Sequence, residues 1–347
     1  MSQSSKPLLN TLNGERQPTP PVWMMRQAGR HLAEYMELRK KAKNFLNFCY
    51  SPDMAVEATL QPVRCYGMDA AILFCDILVI PDALGQAVSF VTGEGPKLEA
   101  ISDGEPLPEF DEAMLHDHLA PVYETISRLS ESLDDCVTLI GFAGAPWTVA
   151  TYMVEGGSSR DYAKTRSWAY QNPDGFQKLI DLLVDATASY LARQISNGAE
   201  TVQLFDSWAG ILPPDEFDRW VIKPAAEIVK RLRASHGDVP IIGFPRGAGA
   251  QYPAFAERSG VDCVSLDSTL PLDWAAKNLP AGMAVQGNLD PVLLLAGGET
   301  MRSRVARILA ALGSGPFVFN LGHGVLPPTP PEHVAELVAL VREGKAA

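Results

Sequence analysis

Apolar residues along the chain follow two alternating patterns. Short, nearly unbroken apolar runs occur at residues 70–74, 137–142, 201–205, 240–244, 261–266, 283–286 and 317–321. Runs of this kind belong to strands covered on both faces, as in a parallel sheet. Between most of them the apolar positions recur at helical spacing. The clearest helix is predicted from an Asn172 cap, with Pro173 in its first turn, to a stop at Gly198; Phe176, Leu179, Ile180, Leu183, Val184, Tyr190 and Leu191 share one stripe. Others are expected over 51–65, capped by Ser51 with Val56, Leu60 and Val63 inward, over 214–237 with a kink at Pro224, and over 299–312. A last helix should start from a capping box, Thr329 to Glu332. Residues 87–98, with Gly93 and Gly95 at their middle, read as a hairpin inserted after the first strand.

Strand and helix alternate without a break in composition, which predicts one α/β domain over residues 21–347. Residues 1–20, polar and proline-rich, read as a flexible N-terminal segment. Seven strands are clear. An eighth, over 22–25, would close a single-domain (β/α)8 barrel of the TIM type.

Composition narrows the ligands. The 347 residues are 46% hydrophobic and 20% charged, enough apolar matter for a large core. With 29 basic and 41 acidic residues the net charge is −12, which argues against nucleic acid or an anionic membrane as partner. No secretory leader and no membrane-length apolar run is visible, so a cytoplasmic protein is expected. The five cysteines form no CxxC pair and lie in or beside apolar runs, as buried reduced thiols would.

The candidate chemistry gathers just after each strand: Cys75-Asp76, Gly144 to Trp147, Asp206-Ser207, Pro245-Arg246-Gly247, Asp267-Ser268, Gly287 to Asp290 and Gly322-His323-Gly324. That is the end at which parallel barrels carry their active sites. Upstream, residues 24–39 concentrate Arg26, Arg30 and Arg39 in an otherwise acidic chain. Arg26 and Arg30 are four apart and would share a face of a helix, unless Gly29 marks a bend. Arginine usually pairs with surface acids, but Arg26 follows the apolar Val22-Trp23-Met24-Met25, where a carboxylate ligand would relieve an otherwise unpaired charge. Asp76 is a lone carboxylate inside an apolar run with no evident capping role, and so the best single candidate for a catalytic or ligand-orienting acid. Tyr152, Ser207 and His323 are weak signals separately. No HExxH, His-x-Cys, P-loop, dinucleotide fingerprint or GxSxG elbow occurs, which points to chemistry with no metal and no cofactor.

Taken together, Met25 to Arg30, Phe74 to Pro81, Gly144 to Thr148, Phe205 to Ala209 and Asn320 to Gly324 resemble the uroporphyrinogen decarboxylase family in order and spacing, over about residues 21–343. The resemblance implies a distorted (β/α)8 barrel, a homodimer, and cofactor-free removal of carbon dioxide from the four acetates of uroporphyrinogen in tetrapyrrole biosynthesis. Matched motif by motif, it implies Asp76, Arg26 and Arg30 as catalytic residues. The substrate would be held by Arg26, Gln27, Ala28, Gly29, Arg30, Arg39, Phe45, Asp76, Tyr152, Ser207 and His323. His31 stands where the family often has tyrosine. Two rival readings are a corrinoid-dependent methyltransferase on the same barrel, which would need a His and Cys zinc site, and a non-catalytic tetrapyrrole carrier.

Overall fold

The computed structural model describes residues 6–91 and 94–344. In chain order its strands are β1 (Ala70–Ile72), β2 (Val88–Val91), β3 (Gly95–Leu98), β4 (Thr138–Gly144), β5 (Thr201–Asp206), β6 (Ile241–Pro245), β7 (Cys263–Ser265), β8 (Ala284–Leu289) and β9 (Phe317–Leu321). Strand β1 and strands β4 to β9 make one curled parallel sheet in the order β1-β4-β5-β6-β7-β8-β9, surrounded by helices as in a TIM-type fold. Every residue of β4, β6, β8 and β9 is buried, because helices cover the outside and side chains fill the inside. The inserted hairpin is β2 and β3, antiparallel with Val88 opposite Leu98; Gly93, expected at its turn, lies outside the described residues.

The gap between the sheet's two edge strands is filled by the chain at Pro21 to Trp23. Val22 bridges Phe319 of β9 in parallel. The Phe319 N–H donates to Pro21 O at 2.8 Å, and the Asp69 N–H, just before β1, donates to Val22 O at 2.9 Å. Pro20 and Pro21 have no N–H to give a regular ladder. Instead the Val22 N–H donates to the Asp69 carboxylate at 2.6 Å. Residues 21–25 thus hold the eighth position without forming a full strand. Inside the ring Trp23 Nε1 donates to Gln286 Oε1 at 2.8 Å, and Gln286 Nε2 donates to Gln203 Oε1 and Ser265 Oγ, both at 3.1 Å. This buried chain of amides ties the seam to β8, β5 and β7, each bond compensating the desolvation of the two groups it joins.

The structure corrects several expectations. Residues 7–12 are not a loose tail: Pro7–Leu12 is a helix whose Leu8 and Leu12 are 0% and 2% exposed in the main core. Lys6 Nζ anchors it by donating to Val137 O at 2.9 Å and Glu200 Oε2 at 2.7 Å. The helix Pro52–Tyr66 buries Ala55, Ala58, Thr59 and Pro62, leaving Val56, Leu60 and Val63 only partly covered, and Ser51 makes no capping bond. The Asn172 cap does form, accepting from the Gly175 N–H at 3.0 Å. The break near Pro224 is a π-helical turn, Asp218–Ile222, inside a longer helix: the proline has no N–H for the carbonyl four residues back. The last helix, Pro331–Glu343, starts without the Thr329 box; that hydroxyl is buried without a partner. All five cysteines are unbridged, but Cys65 and Cys136 are exposed rather than buried, at a helix's outer end and in the turn before β4. Among the described residues no helix is long and apolar enough to cross a membrane.

Candidate active site

The arginine stretch is not a helix up to residue 32; the helix Ala33–Lys41 begins beyond it. The Gln27 N–H closes a turn onto Met24 O at 3.0 Å, and Arg26 sits in that turn at φ +59°, a left-handed conformation that side chains beyond Cβ disfavour. The surroundings hold it there. The Met25 N–H donates to Asn320 Oδ1 at 3.0 Å, and the Val325 N–H donates to Met25 O at 2.9 Å. The Gln27 side chain, buried, bridges the Met24 N–H (3.1 Å) and Ala70 O (2.9 Å). Gln27 is therefore a fastener between the seam and β1, its side chain spent on holding the turn.

The Arg26 side chain lies over Gly324, where a Cβ would collide with its Cγ and Cδ. Its guanidinium acts on three of the expected site groups. Asp76 feels it, as do Tyr152 and His323. Those three hang from different strand ends: Asp76 follows β1, Tyr152 is on the helix Pro146–Glu155 after β4, and His323 follows β9. Asp76 is half-buried, and its Oδ1 accepts the Leu78 N–H at 2.9 Å, a local turn before the helix Val79–Ala83 that the sequence did not announce. Burial raises its pKa above the ordinary carboxylate value, opposed by the Leu78 N–H and by Arg26. For Tyr152, burial raises the phenol pKa. His323 is pushed down to about 3 by burial, reinforced by Arg26 and Arg246, so at neutral pH it is an uncharged imidazole that can donate one hydrogen bond and accept another.

Arg30 and Arg39 lie to one side. A second apolar cluster, Leu32, Tyr35, Phe48, Cys49, Ala55, Ala58 and Phe74, supports this flank, with Phe45 packed against it. The Arg39 guanidinium stands 5.9 and 6.0 Å from the Phe45 and Phe48 ring centres and donates weakly to Ala42 O at 3.4 Å. Tyr35, pushed up to about 12 by burial, feels both Arg39 and Arg30. Arg26, Arg30 and Arg39 form no ion pair among the described residues, unlike Arg64, Arg128, Arg231, Arg233 and Arg302. Pairing with surface acids, the ordinary fate of an arginine, therefore does not account for these three. His31 belongs elsewhere: buried, pushed down to about 4, and stacked 6.5 Å from Tyr66.

Sequence reasoning gave no individual role to four supporting residues, Asp206, Arg246 and Asp267 within the strand-end groups it had marked and Thr148 just after one of them. Asp206, 3% exposed, accepts the Thr148 hydroxyl at 2.6 Å, and Thr148 Oγ1 accepts the Trp208 N–H at 3.1 Å, fixing the turn that carries Ser207. Burial pushes the Asp206 pKa up to about 7. Arg246 donates to Ser207 O at 3.5 Å, and Asp267 accepts the Gly247 N–H at 2.8 Å. Arg246 and Asp267 stood in sequence beside no apolar anomaly of the kind that singled out Asp76. Among the described residues no three His, Cys, Asp or Glu side chains gather as a metal-ligand set.

A family model described as uroporphyrinogen decarboxylase matches residues 3–344. The chain is 52% identical to a uroporphyrinogen decarboxylase of Rhodospirillum rubrum over 341 residues, 98% of each chain. It is 50% identical to one of Paracoccus denitrificans over 340 residues, covering 98% of this chain and 99% of that one. Among solved structures, a methyltransferase from Methanosarcina mazei has the same fold, with TM-score 0.80 at 20% identity over 98% of both chains. At that identity the likeness concerns the barrel alone.

Proposed function

This chain belongs to the uroporphyrinogen decarboxylase family and is a carboxy-lyase, and we propose that it converts uroporphyrinogen III to coproporphyrinogen III by removing carbon dioxide from each of the four acetate side chains. One observation carries the residue assignment: an arginine without an ion pair, Arg26, acts on a half-buried carboxylate, Asp76, at the C-terminal end of the strands. A flexible macrocycle edged with eight carboxylates and centred on four N–H groups asks for that polarity, cations at the rim and an anion at the centre.

The reaction needs an electron sink, since direct loss of carbon dioxide from an acetate would leave a poorly stabilised carbanion. Protonation of the pyrrole at a ring carbon makes the ring that sink. The carboxylate's C–C bond then breaks, its electrons flow into the cationic ring, and carbon dioxide departs. The resulting exocyclic methylene takes up a proton to become methyl, and the ring gives back the first one, so each cycle consumes one proton per carbon dioxide. Asp76 stabilises the positive charge near the pyrrole nitrogens as it develops and accepts their N–H groups. Arg26, next to Asp76, holds the acetate being lost; Arg30 and Arg39 serve carboxylates farther along the wall. An arginine, with a pKa above about 12, is a poor acid, and His323 is unprotonated near neutrality. The protons therefore come from water or from a substrate carboxyl. Tyr152, Ser207, Phe45 and the backbone of Gln27 to Gly29 position the ring. We place the enzyme in the cytoplasm and expect a homodimer, on the family's usual pattern.

Incubating the purified chain with uroporphyrinogen, then separating products by carboxyl number, tests this directly. Wild type should yield the partly decarboxylated series and end at coproporphyrinogen, and Asp76→Asn should be slower by about 10²–10³-fold. Unchanged substrate would sink the reaction, and near-normal turnover by the Asn variant would sink the role of Asp76.

A further inference from the structure

Strand order gives the barrel mouth a compass. Going round from the seam that carries Arg26, one passes β1, β4 and β5, and reaches β6 at the fourth of eight positions. The residue leaving β6 is Arg246, diametrically across the mouth from Arg26. His323 lies in the field of both guanidiniums.

The mount of Arg246 is unusually firm. Its own N–H donates to Asp206 O at 3.0 Å, and its carbonyl accepts the Gly210 N–H at 3.0 Å. The next residue, Gly247, has φ +78° and is pinned by Asp267, which also accepts the Tyr252 hydroxyl at 2.8 Å. Gly210 and Gly247 touch so closely that a Cβ on Gly210 would strike the Gly247 backbone. The guanidinium lies 6.0 Å from the Trp208 ring and has a single long contact of 3.5 Å to Ser207 O. Five donors are thus nearly unspent on a half-buried side chain, with no ion pair among the described residues. An arginine held this way is poised for a planar anion.

We propose that Arg246 is a further substrate-binding residue, gripping a peripheral carboxylate of the macrocycle on the side of the mouth opposite Arg26. This rests on the decarboxylase reading above. A macrocycle with carboxylates around its whole edge cannot be held level from one wall, and Arg246 with Ser207 supplies the second wall.

Steady-state kinetics of Arg246→Met and Arg246→Lys on uroporphyrinogen, with thermal unfolding of both, tests it. The Met variant should raise KM by roughly ten- to a hundredfold with kcat changed far less, as expected when binding common to ground and transition states is lost. The Lys variant, which keeps the charge, should recover a large part of that KM. A KM for Arg246→Met within about twofold of wild type would overturn the proposal. So would an equal loss in both variants accompanied by an equal fall in unfolding temperature, since the side chain would then be a packing element on Trp208. Wild type that turns over while Arg246→Met is unimpaired removes only this proposal; wild type that produces no decarboxylated product removes the reaction itself.

Discussion

At the scale of single residues, the site is organised around an arginine in a costly conformation. A non-glycine residue at φ +59° carries about 1–3 kcal/mol of strain, and it persists only where neighbours over-determine it. Here Asn320 and Val325 supply that determination from the far edge of the ring, and Gln27, next to Arg26, ties the turn to β1. The strain has a purpose if the side chain must lie flat over Gly324 and face Asp76. Gly324→Ala tests the arrangement with a single methyl group. The backbone at Gly324 is not in the left-handed region, so the fold should accept alanine, but the Cβ would displace the Arg26 stem. KM for the macrocycle should rise by roughly tenfold or more while the unfolding midpoint stays near wild type. An unaltered KM would mean that Arg26 does not bind substrate from this position.

At the scale of elements, the strands were readable because burial on both faces leaves an unmistakable apolar run. Their observed limits differ from the expected ones by a few residues at most, as at Thr138–Gly144. The seam was readable only as an irregular eighth strand, since two prolines remove ladder donors and the Val22 N–H that follows them donates to the Asp69 carboxylate instead of to a strand carbonyl. Helix starts fared unevenly. Asn172 caps as its position suggested, whereas Ser51 and Thr329 occupy cap-like sequence positions but make no bond, because hydroxyl orientation depends on packing that no local pattern encodes. Of the site, Asp76 and the arginines stood out as charges in apolar surroundings. Arg246, Asp206 and Asp267 did not, because their importance lies in contacts between strand ends far apart in sequence. The N-terminal helix was hidden by its flanks: three leucines among polar residues and prolines look like a tail until Leu8 and Leu12 meet the core. Leu8→Ala should therefore cost about 2–5 kcal/mol of stability, read from urea unfolding. A loss below about 0.5 kcal/mol, the range of surface substitutions, would return residues 7–12 to the status of a loose strap.

At the scale of the molecule, a net charge of −12 keeps general anions away, so the proposed anionic substrate would have to be held by local guanidiniums. Three buried or half-buried groups also shape stability against pH. His31 and His323 refuse protons until about pH 4 and 3, while the unfolded chain binds them from about 6.5 downward, so stability falls as pH drops through that window. Asp206 runs the other way: the folded chain keeps its proton up to about pH 7 while the unfolded chain releases it near 3.8, so stability falls as pH rises between those values. Two histidines outweigh one aspartate below 6.5, and these groups together place the maximum near that pH. Asp206→Asn should remove the decline on the alkaline side and make the protein more stable than wild type at pH 8, on a scale of about 1.4 kcal/mol per unit of pKa displacement. Urea midpoints at acidic, near-neutral and mildly alkaline pH would check this; a variant weaker than wild type at pH 8 would show that the carboxyl is not held in its neutral form. The seam has a consequence for how the chain comes to life. Val22 meets Phe319 only once the chain between them has been made, so ring closure spans one of the longest loops in the chain and carries a large entropic cost. Arg26 is aimed by that same closure. A growing chain that has yet to release β9 thus cannot set Arg26 in place, and a ligand that binds only the closed ring would favour it by mass action. Closing the seam and aiming Arg26 are therefore one event.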